Sequence, residues 1–344
     1  MRPELRIGRV TIGEGRPVAV IAECACEHLG DLETALRMVD AAAEAGADAV
    51  KFQLHLPEEM IPGSIEFWGG SMDDVLERWN IGVGGQARLK AYCDEVGIQY
   101  LCTPFSAAAV EQLEEILVDG YKTGSGELTN LPMLRRIART GKPMIVSTGM
   151  ATVEEIGETV AALRAVGAEF MLMNCTSAYP PRYDQLHLGF IGRLREQHGV
   201  LVGHSDHTPE GLSAIAAVAL GAVAIEKHLT LDRATGGPDR DVSLEPEEFR
   251  AMVDAIRKVE AALGEEKELY PEEQVVRDWA HHSVVTVRAV VAGEALGPDD
   301  VAVKRPGQGI PARQLEEVYG RIAARDLPGD TPVRWEDLEG DPQR

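Results

Sequence analysis

Eight short apolar runs, each followed by a stretch rich in Ala, Leu and Glu, leave this chain few architectures. The runs span 18–22, 48–54, 98–103, 121–124, 143–148, 169–175, 200–205 and 222–229. Helix signals fall between them. "DLETALRMVDAAAEAG" ends at Gly46, "TVEEIGETVAALRAVG" opens with a Thr cap and a Glu three residues on, and "SLEPEEFRAMVDAIRKVEAALG" is expected to open at Ser243 and close at Gly264. Continuous apolar strands alternating with helices fit a parallel sheet covered on both sides, and eight such units fit a closed (β/α)8 TIM barrel. The competitor is an open, doubly wound sheet, but no G-x-G-x-x-G follows the first strand.

After Gly264 the pattern changes. An acidic connector, "EEKELYPEEQVVRDWA", leads into short strand-like pieces with Gly/Pro turns, "SVVTVRAVVAGEALGPDDVAVKRPGQGI". The expected organisation is a barrel over 1–264, a linker over 265–280 and a small β-rich domain over 281–344. A domain of roughly 60 residues has little core of its own, so docking on the barrel or on a second chain is expected.

Charge narrows the partners. With 34 Lys and Arg against 56 Asp and Glu, the net charge of −22 argues against nucleic acid or an anionic membrane, since both require clustered cations. No apolar stretch reaches about 18 residues, and the opening "MRPELRIGRVTIGEGRP" lacks a signal-peptide core, so a cytoplasmic protein is expected. Five cysteines without a CxxC pair support neither a disulfide framework nor a zinc knuckle; most are expected to be small buried hydrophobes.

In such a barrel the C-terminal ends of the strands converge on one mouth. Those ends supply Glu23, Lys51 and Gln53, Thr103, Lys122 with Ser125 and Glu127, Ser147 and Thr148, Asn174 through Ser177, Ser205 with Asp206 and His207, and Glu226 with His228. An ammonium is rarely buried unpaired, so Lys51, Lys122 and Lys227 must face something negative: either Glu23, Glu127 or Glu226, or an anionic ligand. "KTGSGE" and "STGM" place hydroxyls and glycine-flanked amides beside a lysine, as an anion cradle does. A histidine alone is more often structural. As a pair ending neighbouring strands, His207 and His228 could share one divalent ion whose remaining positions stay open. His28, His55 and His204 are weaker candidates, and His281 and His282 are expected at the domain junction.

The chain resembles the sialic acid synthase family over almost its whole length, through "AECACEHLGD", "AGADAVKFQ", "YLCTPF", "YKTGSGELTNLPML", "KPMIVSTGM", "CTSAYPP", "GHSDHT", "ALGAVAIEKHLTLD", "SLEPEEF" and "VKRPGQGI". The resemblance implies a TIM barrel followed by an antifreeze-like (SAF) domain. It also implies a transferase that condenses phosphoenolpyruvate with the open-chain aldehyde of an acylated amino sugar, N-acetylmannosamine or a relative, with C–O cleavage of phosphate. On this resemblance Lys122, Ser125, Ser147 and Ser205 hold phosphoenolpyruvate, with Lys51 and Thr103 beside it. His207 and His228 bind a divalent ion, Mn2+ or Mg2+. Glu23 manages protons, with Lys51 and His207 in the catalytic set, and Gln53, Glu127, Tyr179 and Asp239 contact the sugar. Arg305 reaches into the partner's barrel, which implies a domain-swapped homodimer.

Three positions depart from the family pattern. Ala25 and Glu27 stand where Gly and Asn are common, and Arg240 follows "GPD" in place of His. Glu27 and Arg240 could pair with each other or recognise a substrate of different charge. Ser177 stands where sialate synthases often carry Asn. Two other readings compete: a metal-dependent barrel aldolase or isomerase in which Lys122 forms a Schiff base, and, keeping only the tail's resemblance, a carbohydrate-binding protein whose barrel has lost activity.

Overall fold

The computed structural model describes residues 3–59, 66–67 and 70–340; residues 341–344 of the expected tail domain lie outside the described residues. The chain divides into two compact units, Met1–Gly264 and Glu265–Arg344. In the first, eight parallel strands form one sheet: β1 Ala19–Ala25, β2 Ala49–Leu54, β3 Gln99–Pro104, β4 Tyr121–Thr123, β5 Met144–Ser147, β6 Phe170–Cys175, β7 Val202–Asp206 and β8 Ala224–His228. Their order is β3-β2-β1-β8-β7-β6-β5-β4, and the terminal strands β3 and β4 lie side by side, nearly closing the barrel.

A helix follows each strand: α1 Leu32–Glu44, α2 Gly82–Val96, α3 Ala107–Glu115, α4 Leu131–Arg139, α5 Val153–Ala165, α6 Phe190–His198, α7 Leu212–Ala219 and α8 Pro246–Ala262. Thr152 and Glu155 close the expected capping box on α5. The start of α8 differs from expectation. Its cap is Glu245, since Pro246 occupies the first turn, where a missing N–H costs nothing.

Period-two alternation sorts the strand residues into two cores. Val20, Val50, Phe52, Tyr121, Val146, Leu172 and Ile225 face the helices. Ala19, Ile21, Ala49, Leu101, Ile145, Met171, Met173 and Ala224 fill the barrel. Gly203 belongs to this inner set for lack of room: a Cβ there would lie 2.5 Å from both Ala224 O and Met173 Sδ. The N-terminal hairpin, Glu4–Ile7 paired antiparallel with Val10–Gly13, adds Leu5, Ile7 and Ile12 to this inner core and plugs the bottom of the barrel. The alternation in "LRIGRVTI" carries that signal.

The second unit begins with helix α9, Pro271–Ala280, where the sequence suggested only a linker. Its β-rich part pairs β9 Ser283–Thr286 with β10 Val301–Lys304. Ten buried residues, among them Val284, Ile310, Val318 and Val333, form its core. Among the described residues no helix is long and apolar enough to cross a membrane.

Candidate active site

The inner alternation changes character toward the C-terminal ends of the strands. One or two residues beyond the last apolar layer, the same inward positions carry Glu23, Lys51, Thr103, Lys122, Ser147, Cys175, Ser205 and Glu226, and a cavity of about 410 Å³ opens above them. Ser125, His207, His228, Gln53 and Tyr179 complete its wall.

Its floor is an ionic network. Lys51 Nζ contacts Glu23 Oε2, lies 3.3 Å from Glu226 Oε2 and donates to Thr103 Oγ1 at 3.2 Å. Lys122 Nζ lies 3.6 Å from Glu226 Oε1, which also accepts from Ser205 Oγ at 3.0 Å. Burial pushes Glu226 up, but Lys122 and then Lys51 outweigh it and hold the carboxyl at about 2. Glu226 and then Glu23 raise Lys51 despite burial, whereas burial lowers Lys122. Burial raises Glu23 against the pull of Lys51. Glu226 is thus the firm anion of the set, and Glu23 is the carboxyl most open to holding a proton.

Glu23 is set by local backbone geometry. A bulge at the end of β1 shifts the register between Glu23 and Ala25, and the Ala25 amide donates to Glu23 Oε1 at 2.6 Å. Ala25 pays for this turn with φ 42°, a left-handed conformation suited to glycine.

The hydroxyl cradle lies on the β4–β5–β6 side. Ser125 Oγ donates to Ser147 Oγ at 3.0 Å, accepts from the Gly149 amide at 3.1 Å and lies 3.5 Å from Cys175 Sγ. Gly149 must lack a side chain, because a Cβ would come within 2.6 Å of the hydroxyls of Ser177 and Ser125. Cys175, within the strand-end run Asn174 through Ser177, faces the cavity. Burial raises its thiol, yet His207 and hydrogen bonds from Ser125 and Ser147 bring it down to about 6.

His207 and His228 close the opposite wall with ring centroids 5.3 Å apart. His207 Nδ1 donates to Thr176 O at 2.9 Å, which fixes the tautomer and leaves an Nε2 lone pair facing the Tyr179 hydroxyl at 3.3 Å. His228 Nδ1 is buried without a hydrogen bond, 3.5 Å from Asp239 Oδ2. Burial, followed by His207, keeps His228 well below the ordinary histidine range. Burial lowers His207, but the neighbouring Cys175 outweighs it and raises the imidazole; once His207 gives up that proton, the two rings offer lone pairs that fit a divalent cation. Among the described residues no third His, Cys, Asp or Glu joins them, so the protein offers two ligands and leaves the other positions open.

Three of the expected residues are placed elsewhere. Glu127 is not on the cavity wall; its carboxylate accepts from Asn130 Nδ2 at 2.7 Å at the start of α4. Asp239 faces an adjoining recess that shares Gln53 and Tyr179 with the cavity. Arg305 lies in the second unit, exposed, with its guanidinium 5.1 Å from the Trp279 ring. Lys227 and Asp206 correct the sequence reading of a shared mouth. Each sits one position out of phase with its inward neighbours, so the two pair with each other at 3.2 Å behind β7 and β8. Glu226, expected at the strand end with His228 and as a partner of the lysines, faces inward in phase with His228 in "AIEKH".

Among the described residues Glu27 forms no salt bridge with a guanidinium. Buried, it accepts from the amides of Gly237 and Asp239, both at 2.8 Å, while the Nε of Arg240 lies 3.9 Å from Asp241. Burial raises Glu27, and burial, then Glu27 and Glu23, push Asp239 up to about 7.

The NeuB family matches residues 38–268 and the SAF domain residues 281–339. The chain is 38% identical over 340 residues to the uncharacterized protein MJ1065 of Methanocaldococcus jannaschii, covering 98% of this chain and 99% of the other. It is 34% identical to the N,N'-diacetyllegionaminic acid synthase of Campylobacter jejuni, covering 92% and 98%, and 32% identical to the N-acetylneuraminate-9-phosphate synthase of Mus musculus, covering 95% and 94%. The crystal structure of an N-acetylneuraminic acid (sialic acid) synthetase from Leptospira borgpetersenii, in complex with citrate, superposes with a TM-score of 0.74 at 33% identity, covering 80% of this chain and 95% of that one. The chain is a member of the NeuB family, a TIM barrel followed by a SAF domain.

Proposed function

We propose that this enzyme condenses phosphoenolpyruvate with the open-chain aldehyde of an acylated amino sugar, giving an α-keto acid sugar and phosphate. The observation that carries the reading is that one cavity joins a lysine-and-hydroxyl cradle to a pair of inward histidines. Lys122, Ser125, Ser147 and Ser205 would hold the phosphate, with Lys51 and Thr103 beside the carboxylate. Lys51 and Lys122 both reach Glu226 at the cavity floor, so two amine side chains stand beside the place of the anion.

His207 and His228 would hold a divalent ion, Mn2+ or Mg2+, which when bound polarises the sugar aldehyde. The enol carbon attacks the aldehyde carbon, whose oxygen becomes a hydroxyl by taking up one of the two protons of the water; the water oxygen bonds to the carbon bearing phosphate, and the C–O bond to phosphate breaks to leave the keto group. Glu23 serves both proton steps: ionised, it takes a proton from the attacking water; protonated, it returns one to the departing oxygen. Gln53, Tyr179 and Asp239 would meet the sugar. Exposed Val275, Val276 and Trp279 on α9 favour a homodimer in which a second copy covers this helix and receives Arg305.

Phosphate release with phosphoenolpyruvate, Mn2+ and a panel of amino sugars tests the reading. Sugar-dependent release is expected. Product formed without phosphoenolpyruvate would favour a Lys122 Schiff base, and no release with any sugar would overturn the proposal.

A further inference from the structure

We propose that the buried Lys227–Asp206 ion pair is a clamp that sets the spacing of His207 and His228, and so positions the two ligands offered to a divalent cation. The inference rests on the reading of that histidine pair as a metal site, and it assigns two residues that the mechanism does not use. In "SDHT" and "EKHL" a charged residue stands immediately before each histidine. Alternation along the strands then turns the histidines to the cavity and Asp206 and Lys227 to the opposite face, where they meet.

Backbone pairing does not set that spacing by itself. Among the described residues the rungs between β7 and β8 end at Asp206 opposite Lys227, one residue short of both histidines, whereas β8 stays paired with β1 through His228 opposite Glu23. Beyond the last rung, Lys227 holds β7 to β8. Its Nζ lies 3.2 Å from Asp206 Oδ2 and also donates to Thr208 O, so one ammonium grips the chain on both sides of His207. Asp206 Oδ1 accepts the Thr208 amide at 2.9 Å, and Thr208 Oγ1 lies 2.8 Å from Ser213 Oγ on α7. Asp206, Lys227 and Thr208 are fully buried. The Thr176 carbonyl aims the His207 ring, and the clamp fixes the backbone that carries it. A buried ion pair is seldom more stabilising than apolar side chains of the same volume, so stability alone gives no reason for this one. Groups behind metal ligands fix how the ligands point, and losing one typically weakens metal binding about 10–100-fold.

The test is calorimetric Mn2+ binding to the full chain and to Lys227→Met/Asp206→Asn, a neutral pair of similar volume whose Asn can still accept the Thr208 amide. The double variant is expected to keep the wild-type circular dichroism spectrum and phosphoenolpyruvate affinity while binding Mn2+ at least about tenfold more weakly. With Co2+ in place of Mn2+, the d–d absorption, which follows ligand geometry, should differ from that of wild type. Asp206→Asn alone disturbs packing least and carries the comparison if the double variant fails to fold; it should weaken Mn2+ at least about threefold. A loss below about threefold in the folded variant overturns the proposal. So does a Co2+ spectrum unchanged from wild type, or a parallel loss of phosphoenolpyruvate affinity, which would mark collapse of the whole mouth. Failure of the metal reading is seen separately and overturns both: wild type would then bind no Mn2+, or bind it no better than His207→Ala.

Discussion

Glu226→Gln probes the floor of the site most sharply, because one carboxylate there serves two buried lysines. Its oxygens lie 3.3 Å from Lys51 Nζ and 3.6 Å from Lys122 Nζ, and all three groups are at most 3% exposed. Removing one partner of a buried ion pair typically costs about 3–5 kcal/mol, because the remaining charge is left uncompensated. Lys51 keeps Glu23, and Lys122, already lowered by burial, can shed its proton, so the loss should fall near about 3 kcal/mol. Urea denaturation at pH 7 followed by far-UV circular dichroism measures it. The same variant should gain more from inorganic phosphate than wild type, since an anion would replace the lost charge; saturation at a hundredfold over Kd is worth about 2.7 kcal/mol. A loss below about 1 kcal/mol, or equal phosphate rescue in both proteins, would refute the reasoning.

Other outcomes follow from the same geometry. Glu226 is depressed from 4.5 to about 2, so its stabilisation is fully present above pH 4.5 and is lost as pH falls through about 2. That acid limb, worth about 3 kcal/mol, should be missing in Glu226→Gln when stability is followed against pH. Glu27→Ala leaves two half-buried amides without their acceptor and should cost about 1–3 kcal/mol by urea denaturation, with Glu27→Gln recovering part; equal stability of all three would remove the strut. Ala25→Gly relieves a left-handed alanine at φ 42° and should change stability by no more than about 1 kcal/mol in the stabilising direction; a clear loss would show that the turn is unstrained. His207→Ala should lose calorimetric Mn2+ binding while keeping the native circular dichroism spectrum.

The sequence carried the barrel clearly, because eight apolar runs with helical stretches between them permit few sheets. It carried most of the site as well, since polar residues just past an apolar strand must face either the mouth or the helices. Choosing between those faces requires counting by two. Glu226 and His228 share a phase and Lys227 does not, which is why Lys227 pairs with Asp206 outside the mouth. Other features depend on contacts distant in sequence. Glu27 meets the Gly237 and Asp239 amides some 210 residues away, and nothing local to "ACEHLGD" points there. Cys175 stands in the strand-end run Asn174 through Ser177, but the polar surroundings of its thiol, the Ser125 hydroxyl and the His207 imidazole, come from contacts that no local pattern gives. Glu127 is a sugar contact only on the family resemblance; here the turn Ser125–Glu127 directs its carboxylate to Asn130.

The central claim concerns which bond of phosphoenolpyruvate breaks in this cavity. The most direct measurement supplies phosphoenolpyruvate labelled with 18O at the oxygen bridging carbon and phosphorus, together with Mn2+ and an acylated amino sugar, and weighs the released phosphate by mass spectrometry. The account expects sugar-dependent release with the label retained in phosphate. Phosphate lacking the label, or release indifferent to the sugar, would contradict it.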